Sequence, residues 1–171
     1  EVNAKDAWVP DYVTENGYTM ELPARSKAGA PKGNSSFYIF DRLKDTVIAV
    51  KADTVPGIKD QPAYLKDYPA KWNDTANKIR EVYVASVYWN DEGTQVIADM
   101  QSADYKDRWL MLLDAAAGKL KTADRQHDDA WIAGPGIAWL GPATIGWIND
   151  HTCYYQSEAT GYSHLYTFDI N

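Results

Sequence analysis

This chain of 171 residues is poor in sulfur, with one cysteine and three methionines. A lone cysteine, Cys153, excludes an internal disulfide. It lies in Thr152-Cys153-Tyr154-Tyr155, a strand-like run where a buried structural thiol fits better than a nucleophile. No apolar stretch approaches the roughly 20 residues that a membrane-spanning helix needs. Positive charge is also scarce: 17 Lys and Arg stand against 24 Asp and Glu, a formal net charge of -7. That balance argues against nucleic acid and against an anionic membrane surface, since both require clustered Lys and Arg. Solubility accounts for the surplus of acid. The chain begins at Glu1 without a signal peptide, so it is expected to be a processed or excised piece whose targeting segment is gone.

Aromatic residues are plentiful: seven Trp, twelve Tyr and three Phe. Such side chains favour strands and fill the space between packed sheets. The second half of the chain also repeats itself. Trp89-Asn90-Asp91 leads to Gln101-Ser102 and then to Trp109-Leu110-Met111-Leu112-Leu113-Asp114. Trp147-Ile148-Asn149-Asp150 leads to Gln156-Ser157 and then to His164-Leu165-Tyr166-Thr167-Phe168-Asp169. In both copies the Ser stands 12 positions before the closing Asp. A fainter third ending is Phe37-Tyr38-Ile39-Phe40-Asp41. Short β-like runs recurring at this period predict stacked four-stranded units such as propeller blades.

The expected fold is therefore all-β, about three four-stranded antiparallel blades of a partial propeller. Residues 1–22 are expected to be irregular chain entering a strand near Tyr18–Leu22. Approximate blades cover 18–53, 81–124 and 137–171. The connection 54–80 contains Pro56, Gly57, Pro62 and Pro69, which forbid a continuous strand or helix. A short helix is expected over 72–80, with Asn73 or Asp74 near its start. The last unit is expected to use Ile137–Leu140, Thr144–Trp147, Thr152–Gln156 and His164–Phe168 as strands and to stop inside its final hairpin.

No constellation of residues supports catalysis by this chain alone. The nearest approach to a Gly-x-Ser-x-Gly nucleophile turn is Gly161-Tyr162-Ser163-His164-Leu165. It lacks the second Gly and sits in a hairpin rather than between a strand and a helix. Ser163 and His164, being adjacent in a strand, point to opposite faces. His127-Asp128-Asp129 could offer metal ligands, but no second cluster has ligand spacing, and no Gly-rich phosphate loop follows a strand. No metal or cofactor is expected. Asp104, Asp107 and Glu158 fall in loops that the repeat makes equivalent, as a paired acid site or as solvated loop tips.

Several stretches carry a resemblance. Ser157-Glu158-Ala159-Thr160-Gly161-Tyr162-Ser163-His164-Leu165-Tyr166 resembles the Ser-Glu-x-x-Gly-Tyr-x-His-Leu-Tyr signature in the propeller of dipeptidyl peptidase IV-like serine peptidases, of the prolyl oligopeptidase family. Lys27-Ala28-Gly29-Ala30, the hairpin from Asp107-Arg108-Trp109-Leu110 to Gly118-Lys119, and Ala130-Trp131-Ile132 are similar to further elements of that propeller. The resemblance covers nearly the whole chain from about Tyr18.

It implies an eight-bladed propeller that caps a C-terminal α/β-hydrolase domain carrying the Ser, Asp and His triad. The propeller restricts access to small peptides and supplies acidic residues, usually a Glu-Glu pair, for the substrate's amino terminus. No Glu-Glu dipeptide occurs here, so that anchor does not carry over, and the triad, which the resemblance assigns to the hydrolase domain, is not expected within this chain. The loop after Trp131 approaches the substrate pocket in such propellers, which marks Trp131, Gly134 and Pro135 as substrate-proximal. The implied partners are the hydrolase domain and a peptide substrate. The implied compartment is the periplasm or the exterior of a bacterium.

Three functions compete. One is a non-catalytic propeller portion that gates and shapes access to a hydrolase domain. Another is a stand-alone module holding a protein or glycan. The last is a β-sandwich carbohydrate binder with Trp72, Trp131 and Trp139 as platforms. Blades cut from a ring expose strand edges, so a homodimer through those edges is also expected.

Overall fold

The computed structural model describes residues 5–27, 30, 35–75, 78–138 and 142–171. The chain forms two compact units, residues 1–34 and residues 35–171. The expected fold class holds: the chain is built almost entirely of antiparallel strands, in sheets of two to four.

The first unit is a hairpin. Strand β1 (Asp6–Asp11) pairs antiparallel with β2 (Met20–Ser26), Trp8 facing Pro23 and Asp11 facing Met20, with an irregularity between Asp6 and Trp8. Strand β1 replaces the irregular chain expected over residues 1–22. Its Pro10 disguises it, because proline donates no ladder hydrogen bond; a two-stranded ribbon has open edges that tolerate that loss.

The second unit opens with the hairpin β3 (Phe37–Asp41) and β4 (Thr46–Val50). A connection follows, holding a 3₁₀ turn over Ala63–Asp67 and helix α1 (Pro69–Thr75). The helix starts three residues earlier than expected, and Asn73 and Asp74 stand near its end. Pro69 explains the shift, since its fixed φ and missing N–H suit a first helical position.

Four strands then form one sheet in sequence order: β5 (Val82–Trp89), β6 (Val96–Ser102), β7 (Asp107–Asp114) and β8 (Lys119–His127). The last sheet has three strands, β9 (Ile145–Trp147), β10 (Thr152–Ser157) and β11 (His164–Asp169), with β10 in the middle. Of the strand expected over 137–140, Ile137 and Ala138 form a bend, while residues 139–140 lie outside the described residues. One sheet of the expected three thus has four described strands.

The repeated polar residues turn out to be turn formers. Asp41, Asp114 and Asp169 each close a strand and each accept backbone N–H bonds from just downstream: Leu43 and Lys44, Ala116 and Ala117, and Asn171. Asn90 accepts from Thr94 and Gln95, and Asn149 from His151 and Thr152. Ser102 Oγ accepts from the Lys106 and Asp107 N–H groups, and Ser157 Oγ from Ala159. Short Asx and Ser side chains substitute for backbone in turns, which is why the repeat is written in them.

Every residue of β6 is buried, and so is β7 up to its last residue. The side chains alternate between two cores. Ala98, Met100, Trp109 and Met111 pack on one face with Val55 and Ile58 from the connection. Ile97, Leu110 and Leu112 pack on the other with Ile145, Cys153 and Tyr155 from the last sheet. A two-layer sandwich leaves one face of each sheet to water. Here both faces of the central sheet are covered, which is the arrangement of stacked blades.

Candidate functional site

Two ionic devices fix the central sheet to its neighbours, one on each face. On the first face, the fully buried carboxylate of Asp107 accepts from Arg80 at 2.6 Å and from Arg125 Nε at 2.9 Å, and it meets His127 Nδ1 at 3.0 Å. Arg80 also donates to the Gly57 carbonyl at 2.8 Å and lies over the Trp109 ring. Arg125 reaches Asp60 at 2.7 Å, and Trp109 Nε1 donates to the Pro56 carbonyl at 2.9 Å. The connection is thereby locked to β7 and β8. On the second face, Arg108 and Asp99 form a buried two-pronged pair at 2.9 Å, and a third guanidinium N–H reaches the Gln156 carbonyl on β10 at 3.3 Å.

These locks position the loop from Asp128 to Ala138. Its start is pinned by Asp128 N–H to the Lys106 carbonyl, 3.0 Å, and Ile132 N–H to the Tyr105 carbonyl, 2.7 Å. Lys106 Nζ donates to the Asp129 and Ala130 carbonyls. The Asp128 carboxylate accepts the Trp131 and Ala130 N–H groups, which hold its pKa below the usual carboxylate range. The far end is held by Gln101 Nε2 donating to the Ala138 carbonyl, while Gln101 Oε1 accepts the Tyr83 hydroxyl at 2.6 Å. Burial, reinforced by Tyr105, pushes the Tyr83 phenol up to about 12.

Tyr105 sits at φ +58, a left-handed conformation that costs a non-glycine residue about 1–2 kcal/mol. Its ring is held between Tyr83 at 6.2 Å and Trp131 at 6.3 Å. Those contacts place an indole that is 48% exposed at the mouth of a groove of about 380 Å³. The groove lies between this loop and the last two sheets, where Tyr155 stacks on Tyr166 at 5.8 Å. Burial, helped by the charge of Asp124, raises the Tyr155 phenol to about 12.

Of the three residues marked as substrate-proximal, Trp131 lines this groove. Gly134 lies beneath the Glu158 side chain: with φ +132, a Cβ there would stand 2.8 Å from Glu158 Oε2. Pro135 is exposed in the following turn and is not part of the lining.

The paired acid site does not assemble. Asp104 and Asp107 both answer to Arg80, and Glu158 stands apart beside Gly134. Asp107 is the buried hub rather than a solvated loop tip. His127 directs both ring nitrogens at aspartates, Asp107 and Asp129. Ser163 Oγ accepts from Gln156 Nε2 at 2.6 Å, and His164 stands across from Ser157 in the ladder. Trp72 stands near Lys66 on the connection, and Trp139 lies outside the described residues.

The sequence reading missed Arg80, Arg108, Arg125 and Asp99. A signal existed for Asp99, a charge set between Ala98 and Met100 in an apolar run, whereas Arg108 follows Asp107 at the head of its strand.

The family model of the dipeptidyl peptidase IV (DPP IV) N-terminal region matches residues 26–171. The chain belongs to the dipeptidyl peptidase IV N-terminal region family. The match includes every sheet of the second unit. Among solved structures, a Bacteroides ovatus protein described as a dipeptidyl aminopeptidase IV resembles it with a TM-score of 0.59 at 14% identity. That similarity covers 99% of this chain and 20% of the other, so the chain spans about a fifth of that protein's length. At this identity the likeness concerns the fold. No curated protein matches the chain.

Proposed function

We propose that this portion of a dipeptidyl peptidase IV-like propeller gates and shapes access of peptides to a serine hydrolase domain of the parent protein. The observation that carries the reading is the construction of the loop from Asp128 to Ala138. Both of its ends are pinned to the central sheet, and it presents Trp131 beside an open groove. A rigid rim of this kind sieves substrates by size and keeps water from the reacting centre. The acyl-transfer chemistry belongs to the hydrolase. Trp131, Gly134 and Pro135 are the rim residues nearest the peptide.

In the parent peptidase, Trp131→Ala and Gly134→Ala are expected to raise KM for short peptides with a smaller change in kcat. Unchanged KM for both variants would refute the gating role. The present chain by itself is expected to show no turnover. Cleavage that a Ser163→Ala substitution abolishes would overturn the reading.

The same reading places the parent in the periplasm or outside a bacterial cell, which fractionation of the parent protein tests. Strand β11 is an edge of its sheet, and unpaired edges invite a second chain. The isolated chain is therefore expected to form homodimers, and light scattering of a clean monomer at high concentration would contradict this.

A further inference from the structure

The groove beside Trp131 has an uneven charge. Along β8, Asp124 and Gln126 alternate with Arg125 and His127, so the two pairs project from opposite faces of the strand. The register agrees: Asp124 stands opposite Leu110 of the core shared with the last sheet, and Arg125 opposite Trp109 of the other core. Arg125 and His127 are committed to Asp107 on that other face. Arg125 and His127 also line the groove, but their side-chain nitrogens are taken up by Asp107, Asp60 and Asp129, so the carboxylates of Asp124 and Glu158 set its charge. Asp124 is engaged by Gln126 Nε2 at 2.9 Å. The Glu158 carboxylate has no hydrogen-bond or ion-pair partner among the described residues, and the backbone of Gly134 lies beneath it. Around these two acids stand Trp131, Ile132, Ile137 and Tyr166.

Resting on the functional reading above, we infer that the groove binds the cationic side chain of a lysine or arginine in a peptide, with its charge on Glu158 and its methylenes against Trp131 and Tyr166. An aromatic face and a carboxylate attract the same cation. The apolar wall rewards a long stem, as when Lys and Arg lay their methylenes along apolar surface while the charged head stays with polar partners. A peptide's own amino end is a poorer occupant. It would bring its adjoining amide against Ile132 and Ile137, where a polar group without a partner is unfavourable.

The test is an NMR titration of the 171-residue chain with three probes: N-acetyl-lysine methylamide, its norleucine counterpart, and alanine amide, whose only cation is the α-ammonium. The lysine probe is expected to shift the Trp131 indole and Gly134 signals and to bind about tenfold or more tighter than norleucine, as befits a hydrogen bond to a charged group. Glu158→Gln should remove that preference, whereas Glu92→Gln, an equal charge loss in the exposed β5–β6 turn, should retain it.

Equal binding of lysine and norleucine probes overturns the inference on the unaltered chain, whether or not a variant folds. Tighter binding of alanine amide, or shifts away from this loop, overturns it too. The functional reading fails separately, by the parent lacking peptidase activity. A lysine preference that depends on Glu158 would survive that failure.

Discussion

Arg108 and Asp99 face each other across β7 and β6 with both side chains fully buried, and their paired bonds are both 2.9 Å. The pair sits inside the core that joins the central sheet to the last one, and Arg108 extends it to the Gln156 carbonyl. Burying two charges is costly, and their attraction offsets the cost only while both are present. Asp99→Asn or Arg108→Met alone is expected to destabilise the fold by about 3–5 kcal/mol, and the double variant Asp99→Leu with Arg108→Met by much less. Urea unfolding of the three variants checks this. A double variant no more stable than the singles would show that the pair is not the coupled unit.

The Asp107 hub fastens the connection to the sheet. Asp107→Asn leaves Arg80, Arg125 and His127 facing a neutral amide and is expected to loosen residues 54–60 more than the strands. Hydrogen exchange should show the Val55, Ile58 and Asp60 amides, bonded to Ala52, Val55 and Gly57, opening before those of β6.

Gly57 has φ +70, and a Cβ added there would fall on the Arg125 guanidinium. Gly57→Ala therefore combines a left-handed alanine with displacement of Arg125 from Asp107 and Asp60. A loss of ~2 kcal/mol or more is expected from thermal or urea melts.

Stability should fall in acid partly through Asp104. Burial raises its pKa, but bonds from Ser102 and the Lys106 N–H, with the Arg80 charge, outweigh burial and hold it below the ordinary 3.8. A lowered folded pKa means that the unfolded chain binds the proton first. The contribution is thus present above pH 3.8 and is lost as pH falls through the folded value. Asp104→Asn should flatten this limb of the stability curve.

The alkaline limb has the opposite origin. Tyr83 and Tyr155 titrate at about 12 against an ordinary 10.0. The folded state retains their protons longer, so their contribution is whole below pH 10 and is lost between pH 10 and about 12. Absorbance titration should show two late phenols, and Tyr155→Phe should remove one and reduce the alkaline loss.

The sequence by itself determined that this chain is made of antiparallel strands, because alternating apolar runs and Asx turns act within a few residues of each other. The Asp41, Asp114 and Asp169 endings were legible for that reason. Strand β1 was not, since Pro10 hides a pairing that only a distant partner completes. Tertiary structure alone decided which charges were buried and with whom. Asp107 looked like a loop tip until Arg80 and Arg125, 27 residues before it and 18 after, came to meet it. Glu158 gained its place over Gly134 in the same way, when two loops distant in sequence were folded together. Ion pairing and groove shape depend on positions in space that short-range patterns do not encode.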